Sequence, residues 1–371
     1  MQPSFLRTRQ RGFSLIEILI GIGIGMVGIM IVLQALKIWS AQNRTTTAGA
    51  DAQINGSIAI YEIDRDIKLA GLGFGTAKGG ALGCEVSAYN STRGGVYPTP
   101  LFRMQAVTIE PDTDNGRDTV TVLYGNSNRL TSDTNFTSST ATSKEAFRQG
   151  GFNIGDVLVA ASETVGMPCR MVAVTDNTNV DGKTLVHATG AWNDPSATNL
   201  PYASGQLYNL GPTPQRRVWR VRNSRLEWYN DLTVQPSQRD SRSQQVAEQI
   251  INLKALYGLA SGAAGAGVVD TWATTAPDPS AVRAIRVGLL ARSRQYERSL
   301  LPDGTCCVNV TTATPTWFGT DADAPFVVKN LDDSDASSVP VDDFNNWRRY
   351  RYRVYETIIP LRNVIWGAGT P

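Results

Sequence analysis

The residue whose chemistry is hardest to explain as scaffold is Glu17. It is the only charge in the 24 residues from Phe13 to Leu36, a run that is otherwise Phe, Leu, Ile, Val, Met, Ala and Gly with Ser14 and Gln34. A carboxylate inside a membrane-length apolar stretch costs a few kcal/mol on insertion scales and needs a cationic partner. The other chemically capable residues are sparse. The chain has 1 His and 4 Cys, so Ser-His or Cys-His catalysis would depend wholly on His187, and a His-rich metal site is excluded. His187 lies in a strand-like run and reads as a core or solvated histidine. Asp112, Asp114 and Asp118 alternate around Gly116, an oxygen cluster that makes a weak calcium candidate; the spacing misses an EF-hand loop and fits an ordinary turn. Gly71, Gly73 and Gly75 follow a helix rather than a strand, so they do not form a dinucleotide fingerprint. No nucleophile elbow or phosphate-binding loop is present. The expectation is a non-enzymatic protein with no cofactor and no metal.

Cys84, Cys169, Cys306 and Cys307 admit three pairings. All follow the apolar run, so an exported location would oxidise them. A bond between the adjacent Cys306 and Cys307 is strained. The favoured pairing therefore joins each of them to one of Cys84 and Cys169. A Cys84–Cys169 bond with two remaining thiols stays open.

These residues are held by a chain of 371 residues with 35 Lys+Arg against 33 Asp+Glu, a net charge of +2. That balance gives no basic face for bulk nucleic-acid binding. The apolar run from Phe13 to Leu36 is long enough to cross a bilayer. Arg7, Arg9 and Arg11 precede it, which favours a cytoplasmic N-terminus. No small-residue cleavage pattern ends the run, so it stays with the mature chain. Gly21, Gly23, Gly25 and Gly28 fall inside it, and the Gly21/Gly25 spacing suits close helix packing. With no proline between Pro3 and Pro98, no proline kink is expected.

Helical spacing continues beyond Trp39. Ile54, Ile58, Tyr61 and Leu69 form one stripe; Ile60, Ile63, Ile67 and Ala70 form another, roughly opposite. Two stripes predict burial on two sides, one against the chain's own globular part and one against a neighbouring subunit. After Gly71 the period changes to β-branched runs punctuated by turn residues. Strands are expected over 102–110, 118–124, 156–160, 170–175, 183–187, 282–292 and 349–361, with a 217–222/225–229 hairpin turning at Asn223-Ser224. Residues 246–259 fit a short helix or a strand. Residues 131–142 and 331–343 read as exposed loops.

The order basic leader, Gly12, Phe13, Ser14, two aliphatics, Glu17, long apolar run resembles the leader of type IV pilins and type II secretion pseudopilins. The resemblance implies cleavage after Gly12 by prepilin peptidase, N-methylation of Phe13, and pairing of Glu17 with a neighbour's amino terminus. Residues Val282–Ser293 (VRAIRVGLLARS) and Arg351–Asn363 (RYRVYETIIPLRN) resemble the PilW family of minor pilins, and RDIKLAG (65–71), DTVTVLY (118–124) and GDVL (155–158) agree in order and spacing. The family implies an α+β, pilin-like fold: a leader at 1–12, an N-terminal helix at 13–71 whose 13–36 part spans the membrane and whose 37–71 part is periplasmic, and a large antiparallel β-rich domain at 72–371. It implies other minor pilins, the major pilin, a tip adhesin, prepilin peptidase and the inner-membrane assembly machinery as partners. It places the protein in the bacterial inner membrane before assembly and at the pilus tip after it. The alternatives are a J-type minor pseudopilin of type II secretion and a pilin-anchored binding module such as one for DNA uptake.

Overall fold

The computed structural model describes residues 12–77, 80–96, 102–111, 116–129, 133–260, 268–297, 309–318, 324–335, 338–340 and 343–368. Cys306, Cys307, Asp112 and Asp114 lie outside the described residues.

One helix, α1 (Leu15–Leu69), runs without interruption for 55 residues, about 82 Å at 1.5 Å per residue. Its stretch Leu15–Ser40 is long and apolar enough to cross a membrane, and none of it is buried by the protein. The helix meets the globular domain only further on. Ala52, Ala59, Ile63 and Ile67 are buried there, joined by Ala70 at the cap. The opposite stripe of Ile54, Ile58, Tyr61 and Leu69 is exposed, Tyr61 at 62%. Both stripes read from the sequence are present; one is covered by this chain and the other is not.

The rest is α+β, with antiparallel sheets dominating. A four-stranded sheet, in the order Thr271–Ala273, Ile250–Leu259, Val282–Arg292, Tyr352–Pro360, lies against α1. Ile285, Val287 and Leu289 alternate toward the helix and the main core. Leu256 and Leu290 face a second cluster around Trp317 and Trp347, contributed by the excursion between the last two long strands. Gly288 makes that cover possible, because a Cβ there would lie 2.4 Å from the Trp317 ring.

A five-stranded sheet continues the core in the order Gln244–Glu248, Arg225–Asn230, Gln215–Arg222, Thr119–Tyr124, Val107–Glu110. The expected hairpin turns at Asn223 and Ser224, with φ of 50° and 55°, the two left-handed residues such a two-residue loop requires. Gln249, with φ 56°, separates Gln244–Glu248 from Ile250–Leu259 and passes the chain from one sheet to the next. The ambiguous 246–259 segment is thus strand. Nearly all of Ile250–Leu259 is buried, so it shows no alternation that would separate strand from helix.

Strand Thr119–Tyr124 pairs directly with Gln215–Arg222, Tyr124 opposite Gln215. Residues 125–214 are therefore an inserted lobe. The lobe supplies six strands of an eight-stranded sheet, ordered Thr184–Val186, Ser143–Ala146, Thr134–Ser139, Gly205–Gly211, Val157–Ala161, Cys169–Ala173, Glu85–Ser87, Phe102–Arg103. The last two come from the segment after α1, and Glu85–Ser87 runs parallel to Cys169–Ala173. The expected loop at 131–142 is corrected here: Phe136 anchors strand Thr134–Ser139 in the lobe core among otherwise polar residues. The expected strand at 102–110 is two pieces in different sheets. Residues 331–343 contain no strand among the described residues.

Cys84 and Cys169 are disulfide-bonded, their Cα atoms 5.9 Å apart. The favoured pairing of each with Cys306 or Cys307 is thereby corrected. The parallel pairing that sets Val86 opposite Cys169 brings the two sulfurs together, a long-range register that cysteine spacing does not reveal. The bond ties the inserted lobe to the segment leaving α1. Non-reducing peptide mapping should recover Cys84 and Cys169 in one linked peptide. Cys84→Ser with Cys169→Ser should lower unfolding free energy by about 2–5 kcal/mol, measured by denaturant titration of the full chain.

Candidate functional site

The helix N-terminus is built by its first four residues. Ser14 is the N-cap in extended backbone, and its Oγ accepts from the Ile16 N–H at 3.4 Å. Glu17 reaches back, and its Oε2 accepts from the Ser14 N–H at 3.1 Å. This reciprocal capping box satisfies two donors that a helix start leaves open. It also holds the Glu17 carboxylate at the positive end of the helix dipole, beside the chain's entry from Phe13. Phe13 is 84% exposed. A Cβ added at Gly21, Gly23, Gly25 or Gly28 would meet no atom within 4 Å, so nothing among the described residues uses the flat surfaces these glycines create. Gly12, Phe13 and Glu17 are thus brought together at one exposed helix end, as their spacing requires.

The far half of α1 is held by a polar clamp centred on Asp66. Asp66 is 1% exposed. It accepts two hydrogen bonds from Arg217 Nη1, at 2.9 and 3.1 Å, and one from Trp219 Nε1 at 3.0 Å. Tyr124 Oη donates to it at 3.4 Å. Burial pushes the Asp66 carboxyl above the usual carboxylate range, against the pull of Arg217 and Trp219. The Arg217 guanidinium also stacks 3.9 Å from the Trp228 ring centroid. The signal available in the sequence was the alternation of Arg217, Trp219 and Val221, which puts a cation and an indole N–H on the inward face of the strand.

The C-terminal strand closes the opposite side. A Cβ on Gly56 would sit 2.0 Å from the Tyr355 ring, so only glycine lets this ring lie on the helix. Tyr355 Oη donates to Gln53 O at 3.0 Å, and Arg353 Nη1 donates to Gln53 Oε1 at 2.9 Å. Asn363 Nδ2 donates to Leu69 O and Ala70 O, capping the last turn of α1.

Residues 221–363 match the family model described as Type IV Pilus-assembly protein W. Residues 7–33 match the prokaryotic N-terminal methylation motif. The two matches mark a type IV pilus-related pilin that is similar to the PilW family over residues 221–363. No curated protein and no solved structure matches it. The first match covers the strands Arg225–Asn230 through Tyr352–Pro360 and so includes Tyr355 and Asn363. The second covers the capping box and most of the exposed apolar helix. The inserted lobe at 125–214 lies outside both.

Two further candidates in this pilin, Asp118 and His187, sit in buried contacts. Asp118, from the calcium candidate, is buried; it binds Lys254 Nζ and the Ala255 N–H, both at 2.9 Å. No group of three or more metal-capable residues occurs among the described residues. His187 is buried at the end of strand Thr184–Val186, where its Nε2 lies 2.9 Å from Lys144 Nζ. The ammonium also donates to Thr140 O and Ser143 O. Burial and the adjacent Lys144 pull the His187 pKa down to about 3, and burial pulls Lys144 down to about 8. A neutral His187 accepting from a charged lysine is a structural contact without a nucleophile.

Replacing Asp66 by Ala leaves Arg217 facing the core without its charge partner and should cost about 3–5 kcal/mol in denaturant unfolding of the full chain. The pH dependence follows from His187. The unfolded chain binds its proton near pH 6.5, while the folded protein refuses it until about pH 3. This contribution is full above about pH 6.5 and is lost as pH falls from there toward 3. Lys144 is charged in both states across that window. The melting temperature should therefore fall between pH 7 and pH 4, and His187→Gln should flatten that slope.

Proposed function

We propose that the protein is a non-catalytic minor pilin that helps prime type IV pilus assembly and cap the pilus tip. Prepilin peptidase cuts after Gly12, and the new terminus at Phe13 is N-methylated. The mature chain sits in the inner membrane with its N-terminus cytoplasmic and its β domain periplasmic. It then joins other minor pilins, the major pilin and a tip adhesin through the inner-membrane assembly machinery. Twitching movement and adhesion follow from pili that start correctly.

The observation that carries this reading is the methylation motif lying on a helix with an exposed carboxylate in its first turn and an uncovered apolar surface over Leu15–Ser40. Hydrolysis of the Gly12–Phe13 peptide bond leaves a carboxylate on the released leader and frees the amine of Phe13. Glu17 supplies the opposite charge for the amine of a neighbouring subunit. In a low-dielectric filament core, losing one member of such a pair leaves the other uncompensated. The exposed stripe of Ile54, Ile58, Tyr61 and Leu69 extends the same association beyond the membrane. The family match at 221–363 supports the pilus over a J-type pseudopilin of a secretion system.

Mass spectrometry of the mature protein should find N-methyl-Phe13 as the first residue; a chain beginning at Met1 overturns the processing step. Glu17→Ala should retain cleavage and membrane insertion but lose co-purification with partner minor pilins and reduce surface pili. Normal pilus numbers with normal tip incorporation, in a strain lacking redundant minor pilins, would sink the assembly role.

A further inference from the structure

The inserted lobe carries a polar cleft of about 170 Å³ beside the disulfide. That volume lies below the few hundred Å³ typical of drug-sized ligand sites, so it admits one small ring and no extended chain. Ser87, Tyr89, Arg170, Asn193, Asp194 and Thr198 are among the residues that line it.

The walls are rigid. Ser87 is paired in register with Arg170, which directly follows the bonded Cys169. Asn193 is buried and fixed by three hydrogen bonds: its Oδ1 accepts from the Ala173 N–H at 2.7 Å, and its Nδ2 donates to Ala173 O and Ala188 O. Arg170 Nη1 donates to Thr198 O, tying two parts of the lining together. Asp194 Oδ1 accepts from the Ser196 N–H and Oγ at 2.8 and 2.6 Å.

The polar groups that remain are of both kinds. Asp194 Oδ2, the Tyr89 hydroxyl and the Ser87 hydroxyl have no hydrogen-bond partner among the described residues. Arg170 offers only donors, Asp194 only acceptors, and the hydroxyls offer both. One cation and one anion leave the cleft without net charge. A phosphate or a nucleotide would meet the Asp194 carboxylate, and a lipid chain would meet polar walls. A ring bearing several hydroxyls, each donor and acceptor, fits this mixture, and the Tyr89 ring supplies an apolar face for its C–H side. We propose that the cleft binds one neutral hexopyranose unit of a glycan. The inference does not depend on the pilus reading, since it concerns the isolated chain.

The test is saturation-transfer NMR on the full chain in lipid nanodiscs, because glycoside detergents would compete. The probes are methyl α-mannoside, methyl β-galactoside, methyl β-N-acetylglucosaminide and glucuronate. At least one neutral probe should bind in the millimolar range. Tyr89→Phe and Asp194→Asn, which keeps the turn-forming oxygen, should each weaken it about tenfold. An unchanged near-ultraviolet circular dichroism spectrum would confirm that the variants fold. Absence of signal from all three neutral probes, binding unaffected by both variants, or binding of glucuronate alone would each overturn the proposal. None of these outcomes bears on pilus counts, so failure here and failure of the assembly reading are distinguishable.

Discussion

A buried carboxylate on a helix can persist only if its charge is met, and Asp66 is where this fold meets that demand. Arg217, Trp219 and Tyr124 reach it from two adjacent strands of the five-stranded sheet. Apolar packing of Ile63 and Ile67 attracts the helix to the domain but would tolerate sliding and rotation, because it is not directional. The hydrogen bonds at Asp66 are directional and fix one register. On the other flank, Gly56 and Tyr355 exclude any arrangement that brings a larger side chain under that ring. Between these points α1 is held at one height and one rotation.

That fixation has a consequence for the exposed half. Among the α1 residues whose burial is described, Ala52 is the first to be buried by the domain, so the preceding helix projects from a defined anchor. The rotation set at Asp66 and Gly56 decides which way Ile54, Ile58 and Tyr61 face. Because the helix is continuous and lacks proline, the same rotation carries through to the glycines at 21, 23, 25 and 28. A pilin built this way presents its exposed apolar helix surface in an orientation determined more than 30 Å away, at about 1.5 Å per residue.

The inserted lobe is joined differently. Its two connections cross closely, with Gly125 packed on Leu210 and Asn126 hydrogen-bonded to Thr213 in both directions. The Cys84–Cys169 bond adds a third attachment. The lobe is thus tied to the segment that leaves α1, while the strands matched by the family carry the contacts of Tyr355 and Asn363 with the helix. A recognition function in the lobe can vary without disturbing the helix clamp.

The amino-acid sequence by itself determined the elements whose signals are local. The membrane-length helix, the Gly12–Phe13–Glu17 spacing, both helix stripes, the Asn223-Ser224 hairpin and the strand Val282–Arg292 are all written in contiguous periodicity or turn chemistry. Tertiary structure alone decided what depends on distant partners. Strand Thr134–Ser139 exists because Phe136 enters a core assembled from residues 146–207, which no polar local pattern could show. Cys84 met Cys169 through a parallel strand pairing across 85 residues. Asp118 turned inward to Lys254, and Asp66 became a clamp only when Arg217 arrived from 151 residues away. In each case the residue type permitted several environments, and the fold selected one by bringing a particular partner within hydrogen-bonding or packing distance.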